Sequence, residues 1–395
     1  MVAPNLRLCH RRPLAMPTLL SPIRIRRLEW RRAAALLLLA ASWGGRLADA
    51  KADDHWTFAQ SPWAWSFPRD HGNHPEFQIE WWYLTGNLTS SSGRPYGFEL
   101  TLFRRGLFRE APQRESRWRM RDVFFGHFAV SNPGANRFFY AERADRGALG
   151  EAGSSEGTME VWVGDWRIEE KPDGSLRVHA AEKGRKLDLT LVPRKRPVLH
   201  GEAGLSRKAE ETGAASYYYS FTRLETEGML EEEGKTVPVR GSSWFDHEFS
   251  SSTLGKNQVG WDWFALQLDS GEELMLYGLR NGEGSIDSTA AGSWVETDGT
   301  RRGLRYGEFA IERLGFWKSP HSGARYPAGW RIRIPSRGLD LKVDPRMADQ
   351  ELYLHALGEI AYWEGAVRVA GSCRGKPLHG VGYVELTGYA GAPLH

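Results

Sequence analysis

Residues 81–88, which read WWYLTGNL, decide the fold of this chain. Aromatic and branched side chains are concentrated in this stretch, as is typical of a β-strand. A turn rich in serine, glycine and proline follows, and Phe98, Leu100 and Leu102 then recur at every second position. A period of two places these three side chains on one face of a strand. The segment therefore predicts a β-hairpin with one apolar face.

A second hairpin of the same design lies 180 residues further along the chain. Residues 261–268 (WDWFALQL) lead into a short Asp-Ser-Gly turn, and an apolar strand returns at residues 274–277. The offset places Trp261 on Trp81 and Trp263 on Tyr83. Such an internal duplication predicts two strand-rich halves, which fit two barrels or sandwiches better than one large sheet.

The composition is that of a folded protein with many aromatic side chains. Hydrophobic residues make up 41% of the 395 residues and charged residues 26%, and tryptophan occurs 17 times. The first 50 residues hold nine arginines against Glu29 and Asp49; without them 43 basic and 47 acidic residues remain, and the net charge changes from +3 to −4. A mildly acidic chain lacks the electrostatic basis for binding nucleic acid.

Residues 1–50 are typical of an export signal. A run rich in arginine precedes nine apolar residues at 33–41, and small residues follow up to Ala50. This order predicts cleavage near Ala50 and a periplasmic or secreted protein, with Met16 as an alternative start. An uncleaved membrane anchor is the alternative, although the apolar run is too short to span a bilayer. Cleavage would leave Cys373 as the single cysteine, so no intramolecular disulfide is expected.

Four segments, taken in order, carry a family resemblance. They are DHGNHP (70–75) with EWWYLTG (80–86), WFDHEF (244–249), GWDWF (260–264), and YWEG (362–365) with GYVELTGY (382–389). They spread over the chain from about residue 67 to residue 389. On these segments the chain resembles the AttH-type, lipocalin-like family that includes the carotenoid 1,2-hydratases.

The resemblance implies an all-β fold of two tandem lipocalin-like β-barrel or sandwich domains. We expect these domains at residues 55–235 and 240–395, with an exposed acidic loop at residues 225–236 near their boundary. An apolar pocket at or near the domain interface is the expected site, since cavities often form there. The sequence does not specify an oligomeric state.

The family precedent implies that the ligand is a hydrophobic small molecule, isoprenoid or lipid-like. Acid-catalysed alkene hydration of the carotenoid 1,2-hydratase type, a hydro-lyase reaction, is the implied chemistry. The alternatives are a non-catalytic periplasmic lipid carrier or chaperone linked to an ABC-type export system of the envelope, and a secreted hydrolase. Family membership alone does not decide between these functions.

Asp262 is the first candidate for acid chemistry. On a strand it shares a face with Phe264 and Leu266. Burial disfavours the charged form of a carboxyl group, so such a group can stay protonated and donate a proton, as alkene hydration requires. The alternative is a structural role, in which Asp262 bonds a nearby hydroxyl, amide or arginine.

Asp246 and His247 are the next two candidates. Adjacent residues on a strand point to opposite faces, so the two could converge only in a turn. His247 could serve as a general base or proton shuttle there. The alternative is a purely structural turn.

Aromatic side chains are expected to line the pocket, since their faces stabilise a cation. The predicted ligand-binding residues are Trp82, Tyr83, Trp244, Trp261, Trp263 and Tyr277.

His71, His74, Glu76 and Glu80 suggest a metal site, but the His-x2-His spacing is too weak a signal without further cysteine or histidine residues at ligand spacing. Glu80 is expected to be a buried structural carboxylate or a pocket acid. Residues 153–157 (GSSEG) fall in a stretch, 147–157, that is expected to be a flexible loop, so they do not predict the nucleophile elbow of an α/β-hydrolase. The chain also lacks the Walker and dinucleotide-binding motifs. We therefore expect neither a metal nor another cofactor.

Overall fold

The computed structural model describes residues 55–110, 120–252, 254–355 and 359–391. These ranges contain 25 β-strands and three short 3-10 helices but no α-helix, so the expected all-β fold is confirmed. None of their helices is long and apolar enough to cross a bilayer. The predicted signal peptide lies outside the described residues. The 3-10 helices are Arg69–His71, Pro133–Ala135 and Pro335–Arg337.

The first sheet is antiparallel and has thirteen strands. They are β1 (Ile79–Ser90), β2 (Pro95–Gly106), β3 (Asp122–Asn132), β4 (Arg137–Arg146), β5 (Ala152–Ser154), β6 (Glu160–Val163), β7 (Trp166–Glu170), β8 (Leu176–Glu182), β9 (Arg185–Pro193), β10 (Val198–Leu199), β11 (Leu205–Arg207), β12 (Ala215–Glu232) and β13 (Lys235–Ser250). Their order is β4-β3-β2-β1-β13-β12-β9-β8-β7-β6-β5, with β10 and β11 paired to β12. The first predicted hairpin is β1 and β2, in a register that pairs Leu84 with Leu100.

The second sheet is antiparallel and has ten strands. They are β14 (Gln258–Leu268), β15 (Glu273–Asn281), β16 (Ala291–Val295), β17 (Arg301–Arg305), β18 (Ala310–Arg313), β21 (Trp330–Ile334), β22 (Leu339–Pro345), β23 (Glu351–Leu354), β24 (Ile360–Cys373) and β25 (Lys376–Leu386); β19 (Phe316–Lys318) and β20 (Arg325–Pro327) form a separate pair. Their order is β17-β16-β15-β14-β25-β24-β22-β21-β18, with β23 paired to β24. The second predicted hairpin is β14 and β15, in a register that pairs Trp263 with Tyr277.

The change from one sheet to the other comes later than the boundary predicted between residues 235 and 240. β12 and β13 form one long hairpin, and β13 also pairs with β1, so it belongs to the first sheet. The loop predicted at residues 225–236 is largely strand. Its glutamates misled the prediction, because they are the outward half of an alternating pattern: Glu225 and Glu227 are exposed, whereas Thr226 and Leu230 are buried.

Each sheet has its own apolar core on one face. Fully buried tryptophans anchor both: Trp82 and Trp166 in the first core, and Trp294, Trp330 and Trp363 in the second. Burying a large apolar side chain contributes about 1.5–3 kcal/mol to folding, so these residues help to stabilise each sheet separately.

The two sheets also pack against each other, through the faces that point away from their cores. Gly97 on β2 lies at a close approach of the two sheets: a Cβ there would be only 2.6 Å from the Cβ of Ala366 on β24. Because real Cβ atoms do not come so close, a side chain at residue 97 would push the sheets apart. The absence of a Cβ at Gly97 therefore helps to set the spacing of the candidate site.

Candidate active site between the two sheets

The surface between the sheets is formed by side chains that alternate with those of the cores. On β1, Trp82 and Leu84 enter the first core, whereas Tyr83 points to the second sheet. On β14, Phe264 enters the second core and Trp263 points to the first sheet. The rings of Tyr83 and Trp263 meet edge to face with centroids 5.1 Å apart. Two positions that the duplication aligns thus lie in contact across the interface.

Four carboxyl groups come together in this region: Glu99 on β2, Asp246 on β13, Glu364 on β24 and Glu385 on β25. Glu99, Asp246 and Glu364 are at most 4% exposed. Glu364 lies directly opposite Glu385 in the β24–β25 pair. Tyr83 lies opposite Asp246 in the β1–β13 pair and also donates a 2.9 Å hydrogen bond to Glu364 Oε2. Tyr83 therefore connects carboxyl groups of both sheets.

Glu364 and Glu99 are placed to be proton donors. Burial raises the pKa of each well above its ordinary value, and the nearby charge of Glu385 adds to the shift. One oxygen of each group accepts a hydroxyl hydrogen bond, from Tyr83 to Glu364 and from Thr101 to Glu99. The other oxygens, Glu364 Oε1 and Glu99 Oε2, are buried without a partner among the described residues. Buried polar atoms normally have a partner, so these atoms are positioned to meet a bound molecule or water.

Asp246 has a different environment from the two glutamates. Three donors contact it: Tyr218 OH at 2.8 Å from Oδ2, Trp244 Nε1 at 2.6 Å from Oδ1, and the hydroxyl of Ser220 on Oδ1. Burial raises the pKa of Asp246 to about 7, although these hydrogen bonds favour the charged form. Asp246 can therefore exist as a carboxylate near neutral pH, when Glu364 and Glu99 are protonated.

Glu385 and Trp261 complete one side of the carboxyl group cluster. Trp261 Nε1 donates to Glu385 Oε2 at 2.8 Å. Burial, together with the charges of Asp246 and Glu248, raises the pKa of Glu385 to about 8, while the hydrogen bond from Trp261 opposes the rise. The cluster thus holds carboxyl groups with different proton affinities, which is a common feature of acid–base sites.

A lysine lies beside the aromatic wall of the site. Lys208 Nζ is 2.8 Å from Glu248 Oε1, 4.9 Å from the ring centroid of Tyr277 and 5.3 Å from that of Tyr218. Burial opposes its charge, but Glu248 and Tyr277 raise the pKa of Lys208 above its ordinary value. Tyr277 is therefore a contact of Lys208 as well as part of the interface.

His247 and Trp82 lie on the opposite side of the first sheet. Because β13 is a regular strand, His247 points into the first core, stacks on Trp82 with ring centroids 4.9 Å apart and contacts Glu80 Oε1 through Nε2 at 2.9 Å. Asp246 and His247 do not converge, so the turn that would have joined them is corrected to a strand. The structure thus separates His247 and Trp82 from the carboxyl groups of the interface.

Glu80 is buried in a hydrogen-bonded ion-pair network. It accepts from His74 Nδ1 at 2.8 Å and from Arg104 Nε at 3.2 Å, in addition to His247. Burial alone would raise the pKa of Glu80, but the hydrogen bonds from His247 and His74 hold it well below its ordinary value. His74, Glu80 and His247 bring ligand-type atoms within 4.8 Å of one another. However, Arg104 already balances the charge of Glu80, so the geometry suits a structural network better than a cation.

Asp262 also points away from the interface, into the second core. Its carboxylate accepts hydrogen bonds from Arg280 Nε at 2.9 Å, Arg313 Nη2 at 3.0 Å and Tyr389 OH at 2.9 Å. These contacts correspond to the structural role considered from the sequence, in which Asp262 bonds an arginine and a hydroxyl. Only Asp246, of the three predicted catalytic residues, lies among the carboxyl groups between the sheets.

Of the six predicted aromatic residues, five lie at the interface: Tyr83, Trp244, Trp261, Trp263 and Tyr277. Glu99, Glu364 and Glu385 are not among the site residues predicted from the sequence. The available signal was a charged residue at an inward position within an otherwise apolar strand. Such a residue indicates a site only if the strand is also buried on its second face, against the other sheet. The alternation within a single strand does not show whether that face is buried.

His127 should make the free energy of unfolding depend on pH. Its Nδ1 lies 2.6 Å from Tyr362 OH of the second sheet, and burial lowers the pKa of His127 to about 3. A histidine in the unfolded chain titrates near pH 6.5, so between about pH 6.5 and 3 the unfolded state binds the extra proton. The free energy of unfolding should therefore fall as pH falls, with His127 contributing about 1.4 kcal/mol per pH unit.

Urea unfolding measured from pH 7 to pH 4.5 should show a shallower slope for His127→Gln than for the unmodified protein. Exposed His379 offers a matched control, and His379→Gln should leave the slope unchanged. Equal slopes for all three proteins would contradict this assignment.

Three comparisons with known proteins agree with this architecture. The AttH-like family profile matches residues 58–389. An AttH-type protein from Nitrosomonas europaea has a solved structure that matches with a TM-score of 0.75 and 32% identity, over 84% of this chain and 99% of that one. Kievitone hydratase from Nectria haematococca matches with a TM-score of 0.63 and 17% identity, over 86% of this chain and 97% of that one, which is a likeness of fold.

A curated relative is the dehydratase asqC of Emericella nidulans. It is 23% identical over 223 residues, which cover 54% of this chain and 61% of that protein. The match thus spans less than two thirds of the relative's length.

Proposed function

Because this chain belongs to the AttH-like family, we propose that it is a hydro-lyase, which adds water to or removes water from a carbon–carbon double bond of a hydrophobic molecule. The observation that carries the proposal is a pair of buried carboxyl groups between the sheets, Glu364 and Glu99, each with one oxygen that has no partner within the described ranges. Relatives that are named a hydratase and a dehydratase support the same reaction class.

Glu364 is the proposed general acid. Tyr83 donates to its Oε2, so in the protonated carboxyl group the proton resides on Oε1, which has no other partner in the described part of the chain. Transfer of this proton to one alkene carbon uses the π electrons to form a C–H bond. The other carbon becomes a cation, and Glu364 becomes a carboxylate. Burial keeps the acid protonated at neutral pH until that step.

Aromatic rings at the interface are proposed to stabilise the cation. Trp263 and Tyr83 meet edge to face, and Trp244 contacts Trp263 with ring centroids 6.2 Å apart. Negative ring faces attract a cation by about 0.5–2 kcal/mol each when water is excluded. The same walls would bind an isoprenoid or similar apolar substrate.

Asp246 is the proposed general base. A water molecule adds to the cationic carbon through its oxygen, and its surplus proton passes to the Asp246 carboxylate. The net reaction adds one H and one OH across the double bond; return of the proton from Asp246 to Glu364 through solvent restores the enzyme. The pKa of about 7 suits a group that must accept and release a proton near neutral pH. Dehydration follows the same steps in reverse.

The test is isotope incorporation with a panel of isoprenoid alkenes and the matching tertiary alcohols. The purified protein in D₂O enriched in H₂¹⁸O should yield alcohols that carry one new carbon-bound deuterium and one ¹⁸O. Asp246→Asn should slow this incorporation by about 10²-fold or more, since a positioned acid or base typically contributes 10²–10⁴-fold. Mass spectrometry of the products measures both labels.

A carrier would give a different pattern. It would retain panel compounds through purification without exchanging either label, and Asp246→Asn would leave retention unchanged. That outcome would reject the hydro-lyase and favour the lipid-carrier alternative.

A further inference from the structure

His200 is a fully buried histidine that bridges the two sheets. It follows β10, and its backbone N–H donates to Tyr218 O at 3.0 Å. Its ring contacts one serine of each sheet: Nε2 is 2.7 Å from Ser220 Oγ on β12, and Nδ1 is 2.9 Å from Ser293 Oγ on β16. Neither the proposed acid nor the proposed base touches His200 directly.

The hydrogen bonds around His200 run in one direction when Asp246 is ionised. The hydroxyl proton of Ser220 goes to Asp246 Oδ1, so Ser220 Oγ can only accept from His200. Burial holds the pKa of His200 well below its ordinary value, so the ring is neutral. With the proton on Nε2, Nδ1 must accept from the hydroxyl of Ser293.

The series of hydrogen bonds begins at a positively charged side chain, that of Arg301. Arg301 Nη1 donates to Ser293 Oγ at 3.3 Å, and Arg301 Nη2 donates to Gly201 O at 2.6 Å. Four donors therefore follow one another from Arg301 through Ser293 and His200 to Ser220 and its carboxylate acceptor. Each bond in such a chain polarises the next, which strengthens the last bond to the carboxylate.

We propose that His200 is a positioning residue for Asp246 and acts through Ser220 to keep the carboxylate oriented toward the space between the sheets. This role deepens the proposed hydro-lyase function and rests on it, because it concerns the proposed base. The two ideas remain separable, since the titration of Asp246 can be followed without a substrate.

Other groups face Asp246 and must stay constant in the test. They are Lys208, Tyr218, Glu248 and Glu385, with Tyr83 on the paired strand. Tyr218 also contacts His200, with ring centroids 4.3 Å apart, so a substitution at His200 could reach Asp246 through Tyr218. A substitute that keeps an aromatic ring, together with the comparison in the absence of Ser220, separates that route from the one through Ser220.

The experiment is an NMR titration of protein labelled with ¹³Cγ-aspartate, in which Asp246→Asn identifies the signal of Asp246. His200→Phe keeps a ring of similar size but removes both nitrogens. The apparent pKa of Asp246 should rise by about 0.5 pH unit, because a weaker hydrogen bond favours the carboxylate less. His200→Gln, which restores an N–H donor, should return the titration toward that of the unmodified protein.

His127→Gln is the matched control, since His127 is also buried at the interface but contacts Tyr362 instead of Ser220. It should leave the Asp246 titration unchanged. Ser220→Ala should raise the apparent pKa by about 1 pH unit, as expected for loss of a hydrogen bond to a charged group. In the Ser220→Ala background, His200→Phe should add no further shift.

An unchanged Asp246 titration in folded His200→Phe would overturn the proposal, and so would an equal shift with and without Ser220. If His200→Phe does not fold, His200→Leu, which also lacks a hydrogen-bond donor, replaces it in the same set of variants with the same criteria. A shift that depends on Ser220, in a protein that incorporates no label from solvent, would support the positioning role and reject the hydro-lyase.

Discussion

Glu364→Gln is expected to lower the rate of label incorporation from solvent by about 10²–10⁴-fold, the range typical for loss of a positioned general acid. Glutamine has nearly the shape of the protonated acid, and its carbonyl oxygen can still accept the hydrogen bond from Tyr83. It has no acidic proton to transfer, however. The loss should therefore appear in kcat, with substrate binding little changed.

Glu351→Gln is the matched control for loss of a buried carboxyl group. Glu351 is also fully buried in the second sheet, but it accepts hydrogen bonds from Ser322 and Tyr326, away from the interface carboxyl groups. It should affect stability without a comparable loss of kcat.

Glu99→Gln separates the two acids: if Glu99 is the donor, this variant and not Glu364→Gln will lose activity. If both variants retain more than a tenth of the rate of the unmodified protein, the acid mechanism is wrong.

Asp262→Ala is expected to lower the free energy of unfolding by about 3–5 kcal/mol, as is typical when one partner of a buried ion pair is removed. Arg280, whose side chain is 7% exposed, would lose its anion inside the second core, and Arg313 and Tyr389 would lose their acceptor. The cost comes mainly from leaving a buried positive charge unpaired. Urea unfolding measures it, and label incorporation by the folded fraction should persist.

Asp340 provides the control for this variant. Asp340 forms two hydrogen bonds with Arg331 in the same sheet, at 2.8 and 2.6 Å, but both side chains are exposed. Asp340→Ala should therefore leave the free energy of unfolding nearly unchanged, as is usual for surface pairs. If Asp262→Ala costs as little as this control and yet abolishes label incorporation, Asp262 is catalytic and the structural assignment is wrong.

Much of the fold could be predicted because strand periodicity is a local property. The alternation in residues 98–102 and the even offset between Trp81 and Trp261 indicated both hairpins and their paired faces. Residues 225–236 were wrongly predicted as a loop because Glu225 and Glu227 resemble loop residues when their buried neighbours are not considered together with them.

The candidate site was predictable only in part because the central strands are buried on both faces. Trp82 and Tyr83 are adjacent and equally aromatic, and alternation separates them without indicating which one meets the first core and which the second sheet. The same ambiguity affects Asp262 and Trp263, so Asp262 was grouped with the pocket. Burial on two faces removes the polar half of the pattern that normally marks the solvent side.

By itself, the sequence determined that this is an all-β chain with two similar hairpins and many aromatic residues, because these features depend on neighbours close along the chain. Only the tertiary structure decided which carboxyl groups share a site. Glu99 and Glu364 are 265 positions apart and come together because two separate sheets pack face to face. Burial between those sheets also raises the pKa of both groups, since desolvation depends on everything that surrounds a side chain and not on its neighbours in sequence.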